Sequence, residues 1–212
     1  MCGIVGYLGN RVAQDALIDG LRRLEYRGYD SAGAAFHDGN AFSLVRETGR
    51  VENLAATLRQ NNPTSTLGIA HTRWATHGAV TVSNTHPHLS QDGKIALVHN
   101  GVIENYGPLK RILEGKGIEF SSETDSEVLS NLIAYHYARL EGEEDRFAQA
   151  LREALSQCRG AYGIAVLCVD EPGFLLGARR GSPLVVGLGD GETFLLCWRR
   201  RERSRCGRAL LD

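Results

Sequence analysis

The apolar residues of this chain follow two periods that exclude one another. Gly3–Leu8, Thr66–Thr72, Lys94–His99 and Tyr162–Val169 are short, nearly continuous apolar runs, whereas Val12, Ala16, Leu17, Leu21 and Leu24 recur at steps of three and four. Runs of that length bounded by turn residues read as buried strands, and the second spacing as one face of a helix over about 11–25. Ala32–His37 and Ala41–Glu47 flank Asp38-Gly39-Asn40, a glycine-containing connection suited to a hairpin. Further helices are predicted around Val51–Leu58, over about 105–115, from Thr124 onward, and around Phe147–Leu155. Thr124 and Glu127 fit a capping box at the third of these starts. Gly173–Ala178 and Leu184–Gly189 complete the strand candidates. Strands in hairpins and helices in pairs predict an α+β sandwich of layered sheets flanked by helices, not a βαβ winding.

The chain has 212 residues, 42% of them hydrophobic and 23% charged, with a formal net charge of −1. That length and balance suit one soluble globular domain and point away from disorder and polyanion binding. No apolar stretch approaches the roughly 20 residues that span a bilayer, so no membrane partner and a cytoplasmic location are expected. The five cysteines, at 2, 158, 168, 197 and 206, show no CxxC spacing. Free thiols are expected, with Cys158 and Cys168 as small buried hydrophobes. Cys2 differs, lying at the chain end before a glycine with no evident packing role.

Removal of Met1 would leave a thiol and a free α-amine on Cys2. Their ordinary pKa values, about 8.5 and about 7.7–8.0, let the amine take the thiol proton near neutral pH without a separate histidine. Asn100-Gly101 follows the apolar run ending at His99. An asparagine NH₂ and a glycine N–H are donors for an oxyanion, although Asn-Gly is equally a turn dipeptide. In His71-Thr72-Arg73-Trp74-Ala75-Thr76-His77-Gly78 the arginine can grip a carboxylate through two hydrogen bonds, or else lie on the surface beside a packed tryptophan. Asp125, in a first helical turn, either complements the helix dipole or accepts a substrate ammonium. Together the four features suggest a site for an amino acid whose side-chain amide is cleaved.

Met1-Cys2-Gly3-Ile4-Val5-Gly6, the segment Leu24–Gly33 with Tyr26-Arg27-Gly28-Tyr29-Asp30, Gly68–Gly78, His86-Pro87-His88, Val98–Asn105, Ser122-Glu123-Thr124-Asp125 and Arg159–Gly163 resemble the class II glutamine amidotransferase domain of the glucosamine-6-phosphate synthase family. The resemblance covers about 1–195 in the family's order. It implies an N-terminal nucleophile hydrolase fold, an α/β/β/α sandwich of two antiparallel sheets between helical layers. It implies that Cys2 forms a thioester with L-glutamine and that Asn100 and Gly101 stabilise the oxyanion. Arg73, Thr76, His77, His86 and Asp125 would bind substrate and Trp74 would gate ammonia, with no cofactor and no metal. In full-length members, expected to be homodimers, the ammonia meets fructose 6-phosphate in an isomerase domain that this sequence lacks. Amidophosphoribosyltransferases and asparagine synthetases share the cysteine, but the Tyr26–Asp30 and Arg73–His77 segments fit them less well.

After Leu195 the text departs from the family. Between 199 and 212 six arginines face two acids, a shift that we read as a reading-frame slip or a truncated gene product over 196–212. With Trp198 as its one aromatic residue, this tail is not expected to bind nucleic acid. Five of the seven histidines (His71, His77, His86, His88, His99) lie within 71–99, which raises a metal-dependent hydrolase as an alternative. Against it, His86-x-His88 is not a helical i, i+4 pair and no set has zinc-like spacing. An inactive glutamine-binding module is a third reading.

Overall fold

The computed structural model describes residues 2–25, 29–74 and 79–197. The elements run β1 (Gly3–Leu8), α1 (Ala13–Leu24), β2 (Ser31–Asp38), β3 (Ala41–Thr48), α2 (Val51–Asn61), β4 (Leu67–Arg73), β5 (His88–Leu89), β6 (Ile95–Ile103), α3 (Tyr106–Glu114) and α4 (Asp125–Arg139). They continue through α5 (Arg146–Gln157), β7 (Gly160–Cys168), β8 (Leu176–Arg180), β9 (Val185–Gly189) and β10 (Glu192–Cys197).

Among the described residues ten strands form two sheets, one in the order β3-β2-β4-β1-β10-β9 and one in the order β5-β6-β7-β8. Every pairing within them is antiparallel. Three apolar layers hold them. Leu17, Leu21, Leu54 and Leu58 of α1 and α2 pack with Val5, Tyr7 and Phe36 on the outer face of the larger sheet. Leu113, Leu132, Ile133, Phe147 and Leu151 of α3, α4 and α5 cover Ile95, Leu97 and Ile164 of the smaller one. Ile4, Leu67, Ile69, Ala96, Val98, Ala165 and Leu167 fill the space between the sheets. The result is the α/β/β/α sandwich expected from the sequence.

Helix α4 starts where its cap dictates. Thr124 is the N-cap and its side chain accepts from the Glu127 N–H at 3.2 Å. Glu127 does not close the box by reaching back to Thr124. Its carboxylate instead accepts from the N–H and hydroxyl of Ser121 and of Ser122, which ties the preceding loop to the helix.

Two strands lie outside the sequence expectation. β5 is only two residues long, too short to leave a pattern. β10 spans the point at which the sequence was expected to depart from the family, pairing Ile4 with Cys197 and Leu8 with Thr193. Its signal was present in Asp190-Gly191, because Gly189 pairs with Glu192 across that two-residue turn and Gly191 has φ +67°. β8 starts later than expected, because its register follows β7, with Val166 opposite Leu176 and Gly163 opposite Arg179. Of the tail, 198–212 lie outside the described residues.

At one end the aliphatic packing around the smaller sheet gives way to imidazole. His71 enters from the inner row of β4, His88 and His99 lie on the α4 side, and these three and His86 are all buried there. Burial, which penalises the charged ring, is the main cause that pushes His71 down to about 4 and His88 to about 3 and also lowers His86 and His99. For His99 the nearby Asp125 carboxylate opposes the shift.

Gly33 of β2 runs beneath this tier. A Cβ added there would lie 2.2 Å from the His86 carbonyl oxygen, a backbone atom with no freedom to yield. Gly33→Ala is therefore expected to destabilise the protein toward the upper end of about 1–3 kcal/mol, read by denaturant unfolding. A second expectation concerns pH. The folded rings take up protons only below the ordinary histidine value of 6.5, so on acidification the unfolded chain binds them first. Stability should be level above that value and fall as pH drops below it, by about 1.4 kcal/mol per pH unit for each buried ring. Unfolding measured at pH 7 and about pH 5 checks the sign; equal stability at both would contradict it.

Candidate active site

Alternation along the strands assembles a cleft at the imidazole end. On β4, Leu67 and Ile69 face the other sheet while Ala70 faces the helices, so His71 and Arg73 continue the inner row. On β6, Ala96 and Val98 face inward, which puts Asn100 in that row, while His99 turns with Leu97 toward α4. On β1, Ile4 faces inward, and Cys2 precedes it by two. Three strands from two sheets thus deliver Cys2, His71, Arg73 and Asn100 to one place.

Cys2 is half-buried. Its Sγ accepts from the Trp74 backbone N–H at 3.2 Å and lies 3.8 Å from the Trp74 carbonyl oxygen. Burial raises the thiol pKa, while the Trp74 amide and then Arg73 oppose that rise by favouring the thiolate. The glycine after it has a packing reason: a Cβ at Gly3 would lie 2.8 Å from Leu24 Cδ1 and 3.0 Å from Thr72 Oγ1. The Gly3 N–H donates to that same hydroxyl at 3.1 Å, so the chain next to Cys2 is clamped between β4 and α1.

Asn100 donates from Nδ2 to the Cys2 carbonyl oxygen at 3.2 Å, and its Oδ1 accepts from His71 Nε2 at 2.8 Å. Asn100 and Gly101 are not a turn. They lie inside β6, paired with Gly163 and Tyr162 of β7. Gly101 has φ +138°, and a Cβ there would come within 2.0 Å of the Ala161 carbonyl oxygen, so this position admits only glycine.

Asp125 opens α4. Its Oδ2 accepts from the Ile103 N–H at 2.7 Å and lies 3.8 Å from His99 Nδ1. The Ser126 hydroxyl donates to Oδ1 at 3.4 Å, and Ser126 Oγ itself faces His86 Nε2 at 2.8 Å and His99 Nδ1 at 3.0 Å. A hydroxyl has one proton and two lone pairs. Having donated to Asp125, Ser126 accepts from both rings, which places the protons on His86 Nε2 and His99 Nδ1. The opposite nitrogens, His86 Nδ1 and His99 Nε2, are the ones left without a partner among the described residues. His88 is tied to the cap itself, its Nε2 3.0 Å from Thr124 Oγ1.

A cavity of about 310 Å³ joins these groups, lined by Cys2, Arg73, Trp74, His86, Asn100, Gly101 and Asp125 among others. Seven of the nine residues singled out from the sequence thus meet at one cleft; Thr76 and His77 lie outside the described residues. Arg73 is buried and donates from Nη1 to the Ala79 carbonyl oxygen at 3.3 Å. Trp74 offers its backbone to the thiol, while its side chain is half exposed. Ser126, Asn84, Glu123, Val102 and Tyr106 also line the cavity and were not foreseen. Asn84 accepts from the Glu123 N–H and donates to the Ala79 carbonyl oxygen, which joins the loop after Arg73 to the start of α4. No single residue type marks such a role. As for the metal alternative, no group of three or more His, Cys, Asp or Glu among the described residues is arranged to hold an ion. One nitrogen of each buried ring is instead committed to Ser126, Asn100 or Thr124.

Comparison with known proteins adds to this geometry. Residues 71–197 match the model of a family described as a glutamine amidotransferase domain. The chain is 50% identical over 196 residues to a protein of Caldanaerobacter subterraneus subsp. tengcongensis named glutamine–fructose-6-phosphate aminotransferase [isomerizing], covering 92% of this chain and 31% of that protein. A protein of the same name from Thermus thermophilus is 52% identical over 195 residues, with the same coverage. The chain therefore spans about a third of the length of these relatives. Among solved structures, the glutamine phosphoribosylpyrophosphate amidotransferase of B. subtilis superposes with a TM-score of 0.76 at 26% identity, covering 92% of this chain and 41% of that one. The structure described as the allosteric regulatory enzyme of purine biosynthesis gives 0.77 at 27% identity, covering 92% and 42%. On the family match over most of its length, and on a fold shared with solved amidotransferases, the chain belongs to the glutamine amidotransferase domain family.

Proposed function

We propose that this chain hydrolyses the side-chain amide of L-glutamine, with Cys2 as the nucleophile. The observation that carries the reading is the meeting of Cys2, Arg73, Asn100, Gly101 and Asp125 on one cleft from four separate stretches of sequence. Each has a task in amide cleavage. Arg73 takes the α-carboxylate through paired hydrogen bonds and Asp125 takes the α-ammonium, which sets the side-chain amide against Cys2. Thr76, His77 and His86 complete the substrate contacts, and Trp74 gates the departing ammonia.

With Met1 removed, the α-amine of Cys2 accepts the thiol proton as sulfur attacks the amide carbon. The resulting oxyanion is held by the Asn100 NH₂ and the Gly101 N–H. The carbon–nitrogen bond then breaks, the α-ammonium returns its proton to the leaving nitrogen, and ammonia departs. A γ-glutamyl thioester remains. Water adds to it with the amine again taking a proton, and glutamate leaves as the thiol re-forms.

On this reading the amidotransferase domain runs not to 195, as expected from the sequence, but through the end of β10 at Cys197, which pairs with Ile4, and the arginine-rich stretch follows it in the sequence. The names of the relatives at 50% and 52% identity support fructose 6-phosphate as the eventual acceptor of the ammonia; on the same proposal that step, giving glucosamine 6-phosphate, belongs to a full-length, homodimeric, cytoplasmic enzyme. The amidophosphoribosyltransferase type is a weaker second reading, supported by the B. subtilis structure at 26% identity.

Intact mass and ammonia release test the core of this proposal together. The wild-type protein is expected to lack Met1 and to release ammonia from glutamine. Cys2→Ala should lose at least about a thousandfold in kcat, as expected when a nucleophile is removed. Ammonia release surviving in Cys2→Ala would overturn the mechanism, and a retained Met1 in active protein would remove the α-amine as its base.

A further inference from the structure

Resting on the reading of Asn100 as an oxyanion donor, we propose that His71 is a positioning residue that keeps the Asn100 amide turned with its NH₂ toward Cys2. A terminal amide has two orientations related by a half-turn, and only one of them presents donors to the thiol side. The choice is made by its neighbours. Asn100 faces the Cys2 carbonyl oxygen at 3.2 Å and His71 Nε2 at 2.8 Å. A carbonyl oxygen can only accept, so the amide nitrogen must face Cys2 and the amide oxygen must face His71. His71 must then carry its proton on Nε2.

Two observations support this proton assignment. The other ring nitrogen, Nδ1, is buried without a partner among the described residues, as suits a lone pair and not an N–H. The ring is also buried from solvent and therefore held neutral across the physiological range. A neutral ring with its one proton on Nε2 is a donor toward Asn100, and that bond influences the ring more strongly than its interaction with the His99 backbone.

The fold explains why the donor comes from here. His71 belongs to the larger sheet, with Ile4 of β1 on one side and Gly33 of β2 on the other, whereas Asn100 belongs to the smaller sheet. The hydrogen bond crosses the gap between the sheets where the aliphatic layer ends. It also closes a chain from β4 through β6 to Cys2 at the start of β1, so the oxyanion donor is aligned against the strand that bears the nucleophile.

The test is a double-mutant cycle on ammonia release from glutamine. His71→Leu fills the space but donates nothing. It should lower kcat by about tenfold or more, because a misaligned donor is lost to the transition state, with KM within about twofold, because Arg73 and Asp125 are untouched. His71→Gln, whose amide can still donate, should recover most of the loss. In an Asn100→Ala background His71→Leu should cost nothing further, since the group it orients is gone. Alkylation of Cys2 by iodoacetamide, a displacement without an oxyanion, should run at the wild-type rate in His71→Leu. If that variant does not fold, His71→Ala carries the same comparisons. Full activity of His71→Leu, equal losses in the two backgrounds, or Gln performing no better than Leu would each overturn the positioning role. Survival of ammonia release in Cys2→Ala would instead remove the functional reading beneath it, so the two failures are distinguishable.

Discussion

The face-to-face packing of the two antiparallel sheets is the constraint on which the rest of the molecule depends. Because successive side chains on a strand point to opposite faces, the rows Leu67–Ile69 and Ala96–Val98 that fill the gap between the sheets also determine which later residues enter it. His71, Arg73 and Asn100 are in the gap because they continue those rows, and Cys2 because it precedes Ile4 by two. A one-residue slip of β4 or β6 would send these groups toward the helices and bring Thr72 or His99 inward. The chemistry is thus written in register, and the apolar core is the device that enforces it.

Much of the fold was legible because strand and helix periods are local. Gly3–Leu8 matches β1 residue for residue, and the Thr124 cap set the start of α4. What escaped depended on a distant partner. β10 is a short strand followed by arginines, and its place is decided by β1 at the other end of the chain. The site was legible in a different way, from motifs. Cys2, Arg73, Asn100, Gly101 and Asp125 could be named because each residue type suits one task in amide cleavage. Their supports could not. Ser126 acts through bonds to His86 and His99 from distant stretches and His71 through one to Asn100 across the sheets, and a serine or a buried histidine carries no sign of that in sequence. The histidine cluster did draw notice, but as a candidate metal centre; the hydrogen-bond geometry turns it into a neutral scaffold around Ser126 and Asn100.

That scaffold has an unusual composition for an interior. Four imidazoles occupy a place where aliphatic side chains would pack with no risk of charging. In exchange the cleft obtains donors of fixed direction behind Asn100 and Asp125, which an aliphatic layer cannot offer. Gly33, pressed against the His86 carbonyl, shows how closely the backbone is drawn around the tier.

Among the described residues, the grip on the Cys2 sulfur comes from the Trp74 main chain. A peptide N–H is common to every residue type except proline, so this contact is invisible to the substitutions by which a cleft is usually surveyed. The sulfur keeps this donor whichever way the indole at position 74 turns, and the indole lines the same cavity. One residue thereby divides its service, its main chain holding the nucleophile and its side chain left for the gate proposed over it.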